Sequence, residues 1–205
     1  MTQITRSNGT VYTTKDDNNR YFMPKEWTDF LEVLKPKQRH TAICQINTGA
    51  RINEIRHLKE YDVNYINHFL VLRITKTKAK KGESKPKPRT IPISSQFSKY
   101  LKKWFRHNED IKLLSTPAMC QAIKKAAANI GLRNPHEFST HNIRKTAEMY
   151  MLALGVDGFK VCSHLGHNPS TAISHYVSPD IFTIEDRLRI RDIMGDLYSK
   201  NEIRV

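Results

Sequence analysis

Apolar positions recur at helical spacing through MPKEWTDFLEVL (Met23–Leu34), and KQRHTAICQINTGA reads as a second helix that stops at Gly49. RINEIRHLKEYDV opens a third, with Ile52, Ile55 and Leu58 on one face. The period then changes. VNYINHFLVLRIT carries two short β-type runs with a turn at Asn67–His68, and PRTIPIS supplies a third strand. Helical spacing returns over Ser94–His107, Pro117–Ile130, Thr140–Leu154, Asp157–Leu165, Asn168–Tyr176 and Ile181–Ser199. The pattern therefore predicts an α+β fold: a mainly α-helical domain over residues 24–205, with a small three-stranded antiparallel sheet inserted after the third helix. Residues 1–23 are polar, with TKDDNNR as turn or disorder, and are expected to form a flexible tail.

A chain of 205 residues suits one domain with a sizeable core and a short tail. The mean hydropathy is −0.59, and no apolar run approaches the roughly 20 residues of a membrane helix. The N-terminus has no apolar stretch of the secretory type. Charge narrows the field. Lys and Arg number 34 against 20 Asp and Glu, a formal net charge of +14, which is the footprint of a polyanion binder. No basic amphipathic helix with an aromatic face stands out, so a membrane partner is not expected. Cys44, Cys120 and Cys162 form no CxxC pair, which argues for a reducing, cytoplasmic setting and against a disulfide framework or structural zinc.

Four stretches carry candidate chemistry. The first is the segment between the last two strands, where Lys76, Lys78, Lys80, Lys81, Lys85, Lys87 and Arg89 face a single acid, Glu83. Gly82, Pro86 and Pro88 keep this tip from packing, and it reads as a phosphate-seeking arm. Each phosphate it neutralises adds about 0.9 to the salt slope of binding. Lys76 stands apart at a strand end, where a fixed ammonium can protonate a leaving oxygen. Lys78 lies two residues on, on the same strand face, and competes for that role.

In the second stretch, NTGARINEIRHL, Gly49 closes one helix and Arg51 opens the next, beside backbone N–H groups that favour anions; Glu54 is one turn on and can hold the guanidinium. The third, STHNIRKTAEMYMLALG, places His141 and Arg144 three apart at a helix start capped by Ser139 or Thr140, where both can reach one phosphate. In the fourth, SHLGHNPSTAISHYVSP, Asn168 is an N-cap and Pro169 a first helical residue, which holds His167 at a junction nine residues before Tyr176. Taken singly, each has an ordinary reading: a solvated loop, an Arg near a helix start, two surface residues, a packed tyrosine.

Together, in the order Arg, Lys, His-x-x-Arg, His, Tyr, they resemble the tyrosine recombinases, or phage-type integrases. TGARINEIRHL resembles that family's first arginine box, HNIRKTA the second, and LGHNPSTAISHY the third; ITKTK…PRTIPI looks like its β-hairpin lysine. The resemblance spans about residues 24 to 199. It implies a site-specific DNA recombinase in which Tyr176 attacks a phosphodiester to form a 3′-phosphotyrosyl link. Arg51 and Arg144 would grip the non-bridging oxygens, Lys76 would protonate the 5′-oxygen, and His141 and His167 would bond the phosphate and help move the tyrosine's proton. Lys78, Lys80, Lys81, Lys85, Lys87 and Arg89 would bind DNA, with Glu54 in support.

The resemblance also implies double-stranded DNA as partner, self-association into a synaptic tetramer, a cytoplasmic, DNA-associated location, and integration or excision of a mobile element. No cofactor and no metal are expected: there is no phosphate-binding Gly-rich loop, and acids are scarce near the boxes. His164 and His175 match no catalytic position and read as packing or DNA-facing. The last helix, about 181–199, carries a broken stripe of Ile181, Ile184, Leu188, Ile193 and Leu197 that docks either on its own core or on a neighbouring protomer. Family members usually carry an N-terminal helical domain embracing the other face of the DNA, and only about 23 residues precede the catalytic region here. The alternatives are a type IB-like topoisomerase, which needs the same residues, and a non-catalytic basic DNA-binding protein, which does not need Tyr176.

Overall fold

A computed structural model describes residues 2–5, 11–14, 21–73, 88–166 and 181–199. Within them the chain runs β1 (Thr2–Thr5), β2 (Val11–Thr14), α1 (Pro24–Val33), α2 (Pro36–Thr48), α3 (Ile52–Ile55), a 3₁₀ turn (Glu60–Asp62) and β3 (Val63–Asn64). There follow β4 (Phe69–Leu72), β5 (Arg89–Pro92), α4 (Ser95–Phe105), α5 (Thr116–Asn129), a 3₁₀ turn (Pro135–Glu137), α6 (Thr140–Ala153), α7 (Gly158–Leu165) and α8 (Ile184–Met194). The mainly helical α+β outline and the three-stranded antiparallel sheet, in the order β3-β4-β5, agree with the hydrophobic pattern.

Local chemistry sets the helix starts. Pro24 and Pro36 occupy first-turn positions, where a missing N–H costs nothing. Three residues into α1 and α2, Glu26 and Gln38 reach back to the backbone N–H groups of Met23 and Lys35 at 2.8 and 3.0 Å. Ser94 and Ser139 accept from Phe97 N and His141 N at 3.1 and 3.3 Å, and Thr183 accepts from Asp186 N at 3.1 Å. In the sheet, Asn64 Oδ1 accepts from Ile66 N and Asn67 N, and His68 takes a left-handed φ of 51°, which makes the turn expected at Asn67–His68.

Two departures have physical reasons. The N-terminal segment expected as a flexible tail holds a second sheet, with β1 and β2 paired antiparallel from Thr2↔Thr14 to Thr5↔Val11. Asn8-Gly9 between two β-branched runs is a hairpin signal that the polar composition outweighed. Tyr21 and Phe22, counted with the tail, are buried in the core. The second departure is α8. Its buried side chains are Ile190 and Met194, joined by Ile181, Phe182 and Leu197 from its flanks, while Ile184 and Leu188 face outward. The helix packs on α1 and α6 of its own chain.

The apolar side chains form two clusters. One gathers Phe22, Trp27, Phe30, Phe138, Tyr150 and their neighbours among the helices. The other joins Leu70, Leu72 and Ile91 of the sheet to Phe97 and Leu101 of α4. Helix α2 and the turn after it serve both: Ala42, Ile46 and Ile52 enter the first, Cys44, Ala50 and Ile55 the second. The Gly49–Arg51 turn therefore lies on the seam between two packed bodies, where its backbone position is dictated from both sides.

Candidate active site

Gly49 ends α2 in the left-handed region, with φ of 56°. A Cβ there would stand 2.5 Å from Leu165 Cδ2 and 3.6 Å from Ala147 Cβ, so the turn needs glycine for its conformation and for its close approach to α6 and α7. Arg51 follows as the cap of α3. Its backbone N–H donates to Glu54 Oε2 at 2.9 Å and its Nη1 to Glu54 Oε1 at 3.2 Å. The Arg51 side chain is 52% exposed. Because α3 is a single turn, the positive field here comes from guanidiniums, with little help from a helix dipole.

Arg144 enters from one turn inside α6 and is only 2% exposed. Its Nη1 donates to Gly49 O at 2.8 Å and its Nη2 to Leu165 O at 2.6 Å. Those carbonyls lie two residues before Arg51 and two before His167. One guanidinium thus bolts together all three boxes that the sequence singled out. It has five N–H donors, and these two bonds to described residues use two of them. Burial first, then the charges of Arg51 and Arg89 against the attraction of Glu54 and Glu148, bring its pKa down to about 10; it stays charged at neutral pH. His141 is exposed at the start of the same helix.

Arg89, expected with the basic arm, is placed differently. It begins β5 opposite Leu72, its side chain is 21% exposed, and it grips Glu54 with both ends of its fork, Nη1–Oε1 at 3.0 Å and Nη2–Oε2 at 2.9 Å. Its Nε donates to His164 O at 3.2 Å. Gly166, with φ of 68°, lies against this guanidinium, and a Cβ on it would come within 3.0 Å of Arg89 Nη1. Glu54 is buried, which by itself pushes its pKa up; the hydrogen bonds and charge of Arg89, then those of Arg51, outweigh this and hold it below the usual carboxylate range.

His164 takes the packing role. It is 3% exposed, with Nε2 3.0 Å from Thr48 O and Nδ1 2.9 Å from the Tyr198 hydroxyl. A carbonyl can only accept, so Nε2 carries the hydrogen and Nδ1 accepts from Tyr198. Burial, reinforced by Arg89 and Arg144, brings the pKa down to about 4 although the Thr48 bond opposes it. The imidazole is neutral at pH 7.

The structure thus brings together Arg51, Glu54, Arg89 and Arg144. The lysines Lys76, Lys78, Lys80, Lys81, Lys85 and Lys87, with His167, His175 and Tyr176, lie outside the described residues. The Arg89–Glu54 pair was missed because the charge run hid one arginine among six lysines; its place as the first residue of RTIPI was the available signal. His164 and Tyr198 carried no sequence signal beyond their types. Among the described residues no group of three or more His, Cys, Asp or Glu could hold a metal ion, and no helix is long and apolar enough to cross a membrane.

Comparison with known proteins gives these residues a context. The sequence model of the phage integrase family matches residues 21–181. The tyrosine recombinase XerA of Pyrococcus furiosus is 25% identical over 166 residues, covering 71% of this chain and 54% of its own length; the chain spans about half of that relative. Among solved structures, the Tn1549 transposon integrase in complex with circular intermediate DNA superimposes with a TM-score of 0.64 at 14% identity, over 85% of this chain and 65% of its own. A crystal structure of XerA recombinase gives 0.59 at 19%, over 90% and 66%. A lambda integrase dimer bound to a core site gives 0.58 at 17%, over 80% and 49%. At these identities the likeness of the structures is one of fold.

Proposed function

The chain belongs to the phage integrase family, the tyrosine recombinases, and from that premise we propose that it cuts and rejoins double-stranded DNA in site-specific recombination. Its biological setting is the integration or excision of a mobile element, in the cytoplasm, with two or more copies assembled on DNA.

The chemistry follows from the residues. A phenol with a pKa near 10 is protonated at pH 7, so Tyr176 needs a proton acceptor and nearby positive charge before it can attack phosphorus. His167 and His141 serve as that acceptor and as phosphate donors. The five-coordinate transition state gathers negative charge on the equatorial oxygens. Arg51, with its exposed fork, and Arg144, with N–H donors beyond the two that hold the Gly49 and Leu165 carbonyls, meet that charge where it develops. Lys76 gives a proton to the departing 5′-oxygen. The P–O bond to Tyr176 forms as the bond to the 5′-oxygen breaks, so the 3′-phosphotyrosyl link keeps the phosphodiester's energy for the hydroxyl of a partner strand. No nucleotide cofactor has to be spent. Lys78, Lys80, Lys81, Lys85 and Lys87 supply a sequence-independent grip on the backbone.

The observation that carries this reading is the position of Arg144, whose two bonds join the turn before Arg51 to the turn before His167. A basic protein that only coats DNA has no use for a buried guanidinium at such a junction. The test is a pool of nicked duplexes of randomised sequence, in which cleavage next to the nick releases a short strand and traps the protein covalently. The unaltered protein should yield an adduct that survives denaturing gels, and Tyr176→Phe should yield none. Adducts formed by the Phe variant would remove Tyr176 as nucleophile.

A further inference from the structure

We propose that Arg89 is a positioning residue of this site: it acts on Arg51 through Glu54, and on the approach to His167 through the His164 carbonyl, and it is not one of the phosphate ligands of the basic arm. The inference rests on the recombinase reading above and deepens it.

Three geometric facts support it. Both terminal nitrogens of the Arg89 fork bond Glu54 and Nε bonds the His164 carbonyl, so three of its five N–H groups are directed into the protein and fix its orientation there. The two oxygens it holds are the same two that Arg51 uses, Oε1 for its guanidinium and Oε2 for its backbone N–H; Glu54 cannot turn without moving Arg51. And the guanidinium fills the space beside Gly166, the last described residue before His167. Arg89 is also the first residue of the strand that leads back from the arm bearing Lys76. A single side chain therefore ties the arm's exit, the carboxylate beneath Arg51 and the end of α7 into one unit.

Lysine cannot replace it. An ammonium carries its three N–H groups on a single nitrogen, so it has no planar fork to fix the carboxylate plane and no donor on a second atom to reach the His164 carbonyl. The groups that set the ionisation of Glu54 are Arg51 on its own helix, Arg89 from β5 and Arg144 from α6; His164 from α7 is neutral. Removing Arg89 leaves burial less opposed, so Glu54 takes up a proton at higher pH and lets go of Arg51.

The test compares Arg89→Gln and Arg89→Lys with the unaltered protein in three measurements. The Glu54 carboxyl is followed by ¹³C NMR titration without DNA, its resonance assigned by loss in Glu54→Gln. It should titrate at higher pH in Arg89→Gln, with Arg89→Lys between; an unchanged titration overturns the proposal. Adduct formation should fall about 10²-fold, the scale of a misplacement of about 1 Å, in both variants. It should recover in part, relative to the unaltered protein at the same pH, as pH rises, and full rescue by lysine overturns the proposal. The salt slope of DNA binding should not change. A loss of about 0.9 in Arg89→Gln that Arg89→Lys restores would make Arg89 a phosphate ligand and also overturn it. Should the unaltered protein give no adduct, the recombinase reading fails, while the titration still decides whether Arg89 governs Glu54. Arg89→Lys keeps the charge and covers the case in which Arg89→Gln does not fold.

Discussion

His164 offers a prediction whose sign and size come directly from its surroundings. Its ring is buried between the end of α2 and Tyr198, and its pKa is brought from 6.5 down to about 4. The unfolded chain binds a proton on this side chain below pH 6.5, whereas the folded chain resists until about pH 4. Stability therefore rises with pH across that window, is fully present above pH 6.5, and is lost as acid approaches the folded value. A drop of this size, at 1.36 kcal/mol per unit, corresponds to about 3 kcal/mol between pH 7 and pH 4. That is a large part of the roughly 5–15 kcal/mol that holds an ordinary domain. His164→Gln isolates the effect, because a neutral amide can still donate to the Thr48 carbonyl but cannot titrate. Urea unfolding at pH 4, 5, 6, 7 and 8 should show the unaltered protein losing about 3 kcal/mol more than the variant between pH 7 and pH 4. His40, also buried with a lowered pKa, is present in both proteins and cancels in the comparison. Equal pH dependence in the two, or an imidazole resonance of His164 that titrates near 6.5, would refute the reasoning.

Other expectations follow from single contacts. Arg144→Lys keeps a charge but cannot span the Gly49 and Leu165 carbonyls as a fork does, so adduct formation should fall about 10²–10³-fold in the nicked-duplex assay; a loss under tenfold would remove the clamp from the mechanism. Gly49→Ala puts a side chain at φ of 56° and against Leu165, at a cost of about 2 kcal/mol. It should lower the melting temperature by roughly 4–8 °C in calorimetry, and an unchanged melting temperature would contradict the packing. Replacing Lys80 and Lys81 with Ala should weaken DNA binding and reduce its salt slope by up to about 1.8, measured by fluorescence anisotropy across a salt series; an unaltered slope would take both lysines off the backbone.

Much of the fold was legible because its signals are local. Pro24 and Pro36 at helix starts, the Ser and Thr caps, Gly49 and Gly166 at helix ends, and the switch of period at Val63 each act within a few residues. The failures are those of distance. Glu54 and Arg89 are 35 residues apart with no shared periodicity, so the place of this arginine at the start of the strand sets it apart from the lysines before it but does not name its partner. The partners of Arg144 are backbone carbonyls, which every residue possesses and no letter announces. The buried face of α8 was misread because the rotation of a helix is fixed by what it packs on. Against α1 and α6 the side chains turned inward are Ile190 and Met194 rather than Ile184 and Leu188. Composition misled in a different way at the N-terminus, where threonines made β1 and β2 look like tail although threonine is a good strand former.

The way the arginines are held also bears on what the site can do. Among the described residues Arg51 and Arg89 bond the Glu54 carboxylate, and Arg144 adds a third guanidinium that Glu54 and Glu148 attract; with both acids ionised the cluster is still net positive. The protein could have anchored Arg144 with a second acid, which would compensate its burial more fully. It uses two carbonyls, which fix the guanidinium through dipoles and leave its charge only partly offset by Glu54 and Glu148. The cost is visible in a pKa brought down to about 10 by burial and by the neighbouring arginines. Glu54 is spent on the two arginines that have no such buried carbonyl clamp at both ends of the fork, and Arg89 takes the larger share, leaving most of the Arg51 side chain open to solvent. A surplus of positive charge held at the junction of three chain segments repels its own members, and on the proposed reading an incoming phosphate relieves that repulsion. A phosphodiester supplies one negative charge, and its five-coordinate transition state supplies two. On the recombinase reading proposed above, that surplus favours the more highly charged transition state over bound DNA, which is the condition for lowering a barrier instead of only tightening a grip.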